Sequence, residues 1–140
     1  MMSAQQDHSN IQETIDEFYA IISGRKGEER DWDTFRSLFL SGNSILNPVK
    51  FNAEKEPVSK PLNVDSYIHG LKSFLLANDF YEYGLNYEIS VFGHIAQVYS
   101  EYEAKRSKED LDIIKRGINL VLLTYDGAMW RIHSMLWQDR

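Results

Sequence analysis

Reactive side chains in this sequence have few places to sit. No cysteine is present, which excludes thiolate nucleophiles, disulfides and zinc–thiolate sites. The four histidines are scattered. His8 lies in a polar start, His94 between two extended runs and His133 on a late strand, while His69 falls about 160° from the centre of its helix's apolar face. No pair of them has metal-ligand spacing, and HExxH, EF-hand and glycine-rich phosphate motifs are missing, so no metal and no cofactor is expected. The acids with something to offer are Asp31, Asp33, Asp65, Glu101 and Glu103. The three aspartates sit at helix starts, where capping and the helix dipole account for them, and the two glutamates alternate onto a polar strand face. Asp33 has a further reading: it follows Trp32 near the expected mouth of the domain, where it would serve as a buried base.

The rest of the chain must position these groups. A length of 140 residues with 43% hydrophobic content suits one cored domain. Lys+Arg 15 against Asp+Glu 21 gives a net charge of -6, which supplies no basic field for phosphates, so neither nucleic acid nor an anionic membrane is an expected partner. Nothing approaches the roughly 18 uninterrupted apolar residues of a membrane span, and the polar start lacks an apolar leader segment, so a cytoplasmic protein is expected. Eight Tyr, seven Phe and three Trp exceed what a small core needs and suggest an aromatic-lined cavity or an adhesive outer face.

Residues 1–8 read as a loosely held tail and 9–140 as a single domain. Ser9 and Asn10 precede an apolar stripe of Ile11, Ile15, Phe18, Tyr19 and Ile22 that defines a first helix ending at Gly24. Asp31 caps a second helix whose Trp32, Phe35, Leu38 and Phe39 share a face. Ser44 to Val49 suits an edge strand, and the segment from Pro48 to Pro61, holding all three prolines, predicts a surface loop that could act as a lid. Asn63 caps a third helix, with Val64, Tyr67, Ile68, Leu71, Phe74 and Leu75 on its apolar side. Four antiparallel strands follow, at about 80–92, 95–105, 113–125 and 129–138. The fold class is therefore α+β, with three N-terminal helices packed on one face of a curved, mostly antiparallel sheet around an internal pocket.

Strand parity divides that sheet. A two-residue turn at Gly93 and His94 places Leu85, Tyr87, Ile89 and Val91 on the face shared by Ala96, Val98, Ser100 and Tyr102. A turn at Asp126 and Gly127 places Asn119, Val121, Leu123, Ile132, Ser134 and Leu136 on one face, and Ile118, Leu120, Leu122, Met135 and Trp137 on the other, with His133. Polar groups on the inner face (Tyr87, Ser100, Tyr102, Asn119, Ser134) combine with Tyr19, Trp32 and Phe35 from the helices either as a ligand cavity or as a satisfied core. The apolar reverse predicts a homodimer through Leu120, Leu122, Met135 and Trp137.

Five segments, FYAIISG at 18–24, DWDTFRSLF at 31–39, ILNPV at 45–49, VYSEYEAKR at 98–106 and RGINLVLLTYDGAMWRIHSMLW at 116–137, resemble the nuclear-transport-factor-two-like, or SnoaL-like, superfamily that includes ketosteroid isomerase. The resemblance covers nearly everything from Ile11 to Asp139. It implies a cone-shaped sheet wrapped on a long helix, a hydrophobic pocket at the open end, and usually a dimer. It puts Tyr19 at the isomerase's helix-one tyrosine, Asn47 at its base position, and Val121 or Asn119 near its second acidic donor. An amide cannot carry the proton, so the isomerase's own chemistry is not expected. Histidine-dependent relatives need an inward histidine, and on the last strand the inward positions read as Ser134 and Leu136.

Three functional readings follow. The first is a cavity for a small hydrophobic ligand with a polar group, lined by Tyr19, Trp32, Phe35, Asn47, Tyr87, Tyr102, Asn119 and Ser134. The second is a cofactor-free isomerase, cyclase or dehydratase acting on a hydrophobic carbonyl compound with Tyr19 and Asp33 as acid and base. The third is a homodimerisation module with a filled core.

Overall fold

A computed structural model describes residues 3–140 of the chain. Helix α1 (Ala4–Ile22) starts earlier than its apolar stripe. Ser3 caps it, accepting from the Gln6 backbone N–H at 3.2 Å, a Ser-x-x-Gln pattern one turn and a half upstream of Ser9. The expected tail thus gives way to helix from Ala4 to His8, while its first two residues lie outside the described ones. The extension faces solvent, so apolar periodicity does not register it, but it is tied down where Trp130 Nε1 donates to Asp7 at 3.4 Å. Helix α2 (Trp32–Ser37) is short, capped by Asp31, whose carboxylate accepts from the Thr34 backbone N–H at 3.1 Å. Leu38 and Phe39 lie beyond its end, both buried. Helix α3 (Val64–Ala77) is capped by Asn63, which accepts from the Ser66 N–H at 2.8 Å.

The strands are β1 (Ile45–Phe51), β2 (Pro57–Ser59), β3 (Tyr81–Phe92), β4 (Ile95–Lys105), β5 (Lys115–Tyr125) and β6 (Trp130–Asp139). They form one mixed sheet in the order β2-β1-β6-β5-β4-β3, with β1 parallel to β6 and every other pair antiparallel. The proline-rich segment is a hairpin and not a loop: Val49, Lys50 and Phe51 pair with Ser59, Val58 and Pro57. Proline is tolerated there because β2 is the outermost strand, where the missing N–H costs no ladder bond.

Two β-bulges reset strand parity. Near its turn the β3–β4 hairpin has the expected register, Val91 opposite Ala96 and Tyr87 opposite Ser100; beyond Asn86 the pairing shifts, so that Gly84 faces Tyr102 and Glu82 faces Ala104. Leu85 is the extra residue and is exposed, whereas parity placed it inside. In β5–β6 the pairing is Leu123 with Ile132 near the turn but Leu122 with Ser134 beyond it, leaving His133 unpaired. Every later residue of β6 therefore changes face. Met135, only 4% exposed, and Trp137 turn inward, while Ser134 and the 41% exposed Leu136 turn outward. The expected inward Ser134 and the expected outward Met135 and Trp137 are corrected together, by one inserted residue. Leu120 and Leu122 face outward as parity requires, at 46% and 49% exposure.

One end of the sheet is packed solid. Phe35 is fully buried against Phe18 and Phe39, with ring centroids 5.2 Å away in both cases, and stacks on Tyr67 at 5.9 Å. Val98, Val121, Leu123, Trp130 and Ile132 complete this core from the strands. The opposite end, where β3 and β5 begin and β4 and β6 finish, stays open.

Candidate functional site

The open end holds a cavity of about 300 Å³ between α1, α3 and the sheet. Its apolar wall comes from Phe18, Pro48, Leu62, Tyr67, Leu71, Phe74, Met135 and Trp137, and its polar groups are Lys50, Glu82, Tyr102, Lys115, Asn119 and Asp139. The registers explain the gathering. Glu82 pairs with Ala104, Ala104 with Lys115, Gly117 with Asp139 and Pro48 with Trp137, so residues distant in sequence meet at one level of the sheet.

Glu82 is held by its backbone. Its N–H donates to the Ser23 hydroxyl at 2.9 Å, and that hydroxyl reaches the carbonyls of Tyr19 at 2.7 Å and Glu82 at 3.1 Å, so the end of α1 fixes the start of β3. Among the described residues no hydrogen bond reaches the Glu82 carboxylate. Burial pushes this carboxyl up to about 7; the Lys115 cation pulls it down and the Asp139 anion pushes it up. Lys115 Nζ lies 3.7 Å from Asp139 Oδ2, and the Tyr102 hydroxyl donates to Asp139 Oδ1. Tyr102 crosses directly over Gly117, where an added Cβ would stand 2.3 Å from the Tyr102 hydroxyl oxygen and 2.4 Å from the Gln138 carbonyl oxygen. Only glycine leaves room for that contact.

A second layer supports Asn119. Its Nδ2 donates to the Tyr19 hydroxyl at 2.8 Å, and Tyr19 shares a hydrogen bond with Ser100 Oγ at 2.7 Å. Tyr19 is 2% exposed, and burial raises its phenol well above the usual range, so it stays protonated. Its hydroxyl fixes an amide that lines the cavity.

Of the residues singled out from the sequence, Tyr102 and Asn119 line the cavity and Tyr19 braces Asn119. Phe35 lies in the solid core, and Trp32 packs edge-on to it at 5.4 Å. The Tyr87 hydroxyl donates to Asp16 of α1, away from the cavity. Asn47 points to the outer face, accepting from the Ser59 hydroxyl at 2.8 Å, because β1 runs parallel to β6 and shares its parity: Leu46 and Pro48 turn inward, Ile45 and Asn47 outward. Ser134 is also outward, 3.1 Å from His133 Nδ1. Asp33 is fully exposed and bonds Arg36 at 3.3 Å, so no buried base stands there. Arg116 likewise faces outward, 3.4 Å from Glu103.

Sequence reasoning missed Glu82, Lys115, Asp139 and Tyr67. Lys115 has the inward parity of Asn119, so its place was readable. Glu82 required the bulge at Leu85, for which Gly84 within a strand is the available signal. Asp139 required the bulge at His133, which carries no glycine. Among the described residues no cluster of His, Asp and Glu could hold a metal, and no helix is long and apolar enough to cross a membrane.

No protein-family model and no curated protein matches the chain. Solved structures do. A protein of unknown function with a cystatin-like fold from Nostoc punctiforme superposes with a TM-score of 0.74 at 13% identity, over 100% of this chain and 96% of that one. An NTF2-like protein with a cystatin-like fold from Novosphingobium aromaticivorans gives 0.73 at 14% identity, over 96% and 82%. An NTF2-like protein of unknown function from Shewanella baltica gives 0.64 at 16% identity, over 100% and 98%. Identities this low speak to architecture, and together with the long first helix, the six-stranded mixed sheet and the open-ended interior they show that the chain has the NTF2-like, cystatin-like fold.

Proposed function

We propose that the chain binds a small, largely apolar carbonyl compound at the open end of the sheet and moves a proton on it with Glu82. The observation that carries this reading is a carboxylate without a hydrogen-bond partner in a mostly apolar cavity, poised near neutrality. Glu82 would take a proton from the carbon beside the carbonyl, and the C–H electron pair would pass to the carbonyl oxygen. The Lys115 ammonium and the Asn119 amide are the donors available to that oxygen. Returning the proton to a different carbon completes an isomerisation; delivering it to a departing hydroxyl releases water and completes a dehydration. Tyr19 is a positioning residue for Asn119 in this scheme. The reading needs no cofactor.

Deuterium incorporation next to the carbonyl of a panel of hydrophobic ketones, followed by NMR in D2O, tests the proposal. Glu82→Gln should slow exchange by about 100-fold or more while leaving the fold intact. Exchange at the parental rate in the variant would remove Glu82 from the mechanism.

The same reading gives the outer face to a second copy of the chain, through Ile45, Leu120, Leu122 and Leu136, all more than 40% exposed. Light scattering of the Leu120→Glu, Leu122→Glu double variant should give half the parental mass. An unchanged mass refutes this seam.

A further inference from the structure

We propose that the molecule taken by the cavity is an anion, an apolar body carrying a carboxylate, and that Lys50 at the rim holds that carboxylate. The inference rests on the binding reading above and names the substrate class.

Two lysines line the cavity, and they are not equivalent. Lys115 has its charge answered by Asp139 Oδ2 at 3.7 Å, and the other oxygen of Asp139 is taken by the Tyr102 hydroxyl. Lys50 has no ion pair among the described residues. Its position follows from β1, where Leu46 is buried, Pro48 lines the cavity and Lys50 continues the same side into solvent. The Lys50 stem thus lies at the end of a wall built from Pro48, Leu62 and Trp137, with its ammonium at the water boundary.

The balance of charge then selects the ligand. Asp139 answers one of the two cations. Glu82 can answer the other only while ionised, and it stands on β3, at the far side of the β1-β6-β5-β4-β3 run from Lys50. With Glu82 ionised, as its role as base requires, the two acids balance the two lysines in number but not in place: Lys50 stays the rim cation with no ion pair among the described residues. A cation without an ion pair at the rim of an apolar wall matches an amphiphilic acid: the tail removes apolar surface from water and the head pairs with the lysine. A neutral ligand of the same shape gains the burial of its tail but no ion pair with Lys50.

The probes are octanoate and 1-octanol, alike in chain length and different in charge, titrated into protein labelled with carbon-13 at the methionine methyls. Met135 lines the cavity, so its methyl reports occupancy. Octanoate should bind about tenfold more tightly than octanol. Lys50→Gln should erase that preference without changing the affinity for octanol, and Lys50→Arg should retain most of it. Equal affinities in the parent protein, or a preference that survives Lys50→Gln, would overturn the inference while leaving the cavity as a binding site. Failure of both probes to shift the Met135 methyl would overturn the binding reading and this inference with it.

Discussion

The two ends of the sheet are built from the same four long strands and finish in opposite ways. At the turn end, Phe35, Phe39, Trp130 and Ile132 fill the interior, and the polar atoms there serve the backbone: Thr14 Oγ1 donates to the Trp130 carbonyl at 3.1 Å and Ser44 Oγ to the Ile132 carbonyl at 3.0 Å. At the open end, aromatic rings still form the wall, but Glu82, Lys115 and Asp139 project into about 300 Å³ of space. The transition falls at the bulges. Beyond Leu85 and beyond His133 the facing residues change parity, and a pattern that buries aliphatic side chains becomes one that turns charged ones inward. A single inserted residue per hairpin thus separates a region that stabilises the fold from one that carries a burden on stability and is suited to chemistry.

The contrast is sharpest in truncations. Phe35→Ala should cost about 3–5 kcal/mol, since the ring is fully buried against four others, whereas Phe74→Ala, on the cavity wall and 41% exposed, should cost about 1 kcal/mol. Urea unfolding of both variants measures this, and equal losses would erase the distinction between a packed and an open end. Next in size is the pH dependence set by Glu82. An unfolded glutamate ionises near 4.5 and this one at about 7, so between those values the folded chain keeps a proton that the unfolded chain has released. Stability from this group is therefore full below that window and lost as pH rises through it, by about 3 kcal/mol. Glu82→Gln should flatten that part of the profile and be the more stable protein at pH 8. Parallel profiles for parent and variant would mean that the carboxylate is not held in a desolvated site.

Much of the framework was legible in the sequence because it depends on neighbours along the chain. The stripe from Ile11 to Ile22 marked α1, Asp31 and Asn63 marked the starts of α2 and α3, and the glycine-containing turns fixed the hairpin registers close to Gly93 and Gly127. The reading lost accuracy with distance from the turns. Parity carried past a bulge inverts, so Ser134 was placed inside and Trp137 outside, and Glu82 went unnoticed. Asn47 failed for a related reason: its direction is set by the parallel pairing of β1 with β6, a long-range choice that the ILNPV segment does not record.

By itself, then, the order of residues determined which segments become helix and which become strand, how the chain turns back, and that aromatic surface exceeds the needs of a small core. Only the tertiary structure decided which of the charged residues share the cavity. Local propensity and turn chemistry act within a few residues, whereas Glu82, Lys115 and Asp139 converge through inter-strand registers that depend on where each bulge falls, and a shift of one residue exchanges the wet and the enclosed faces of a strand.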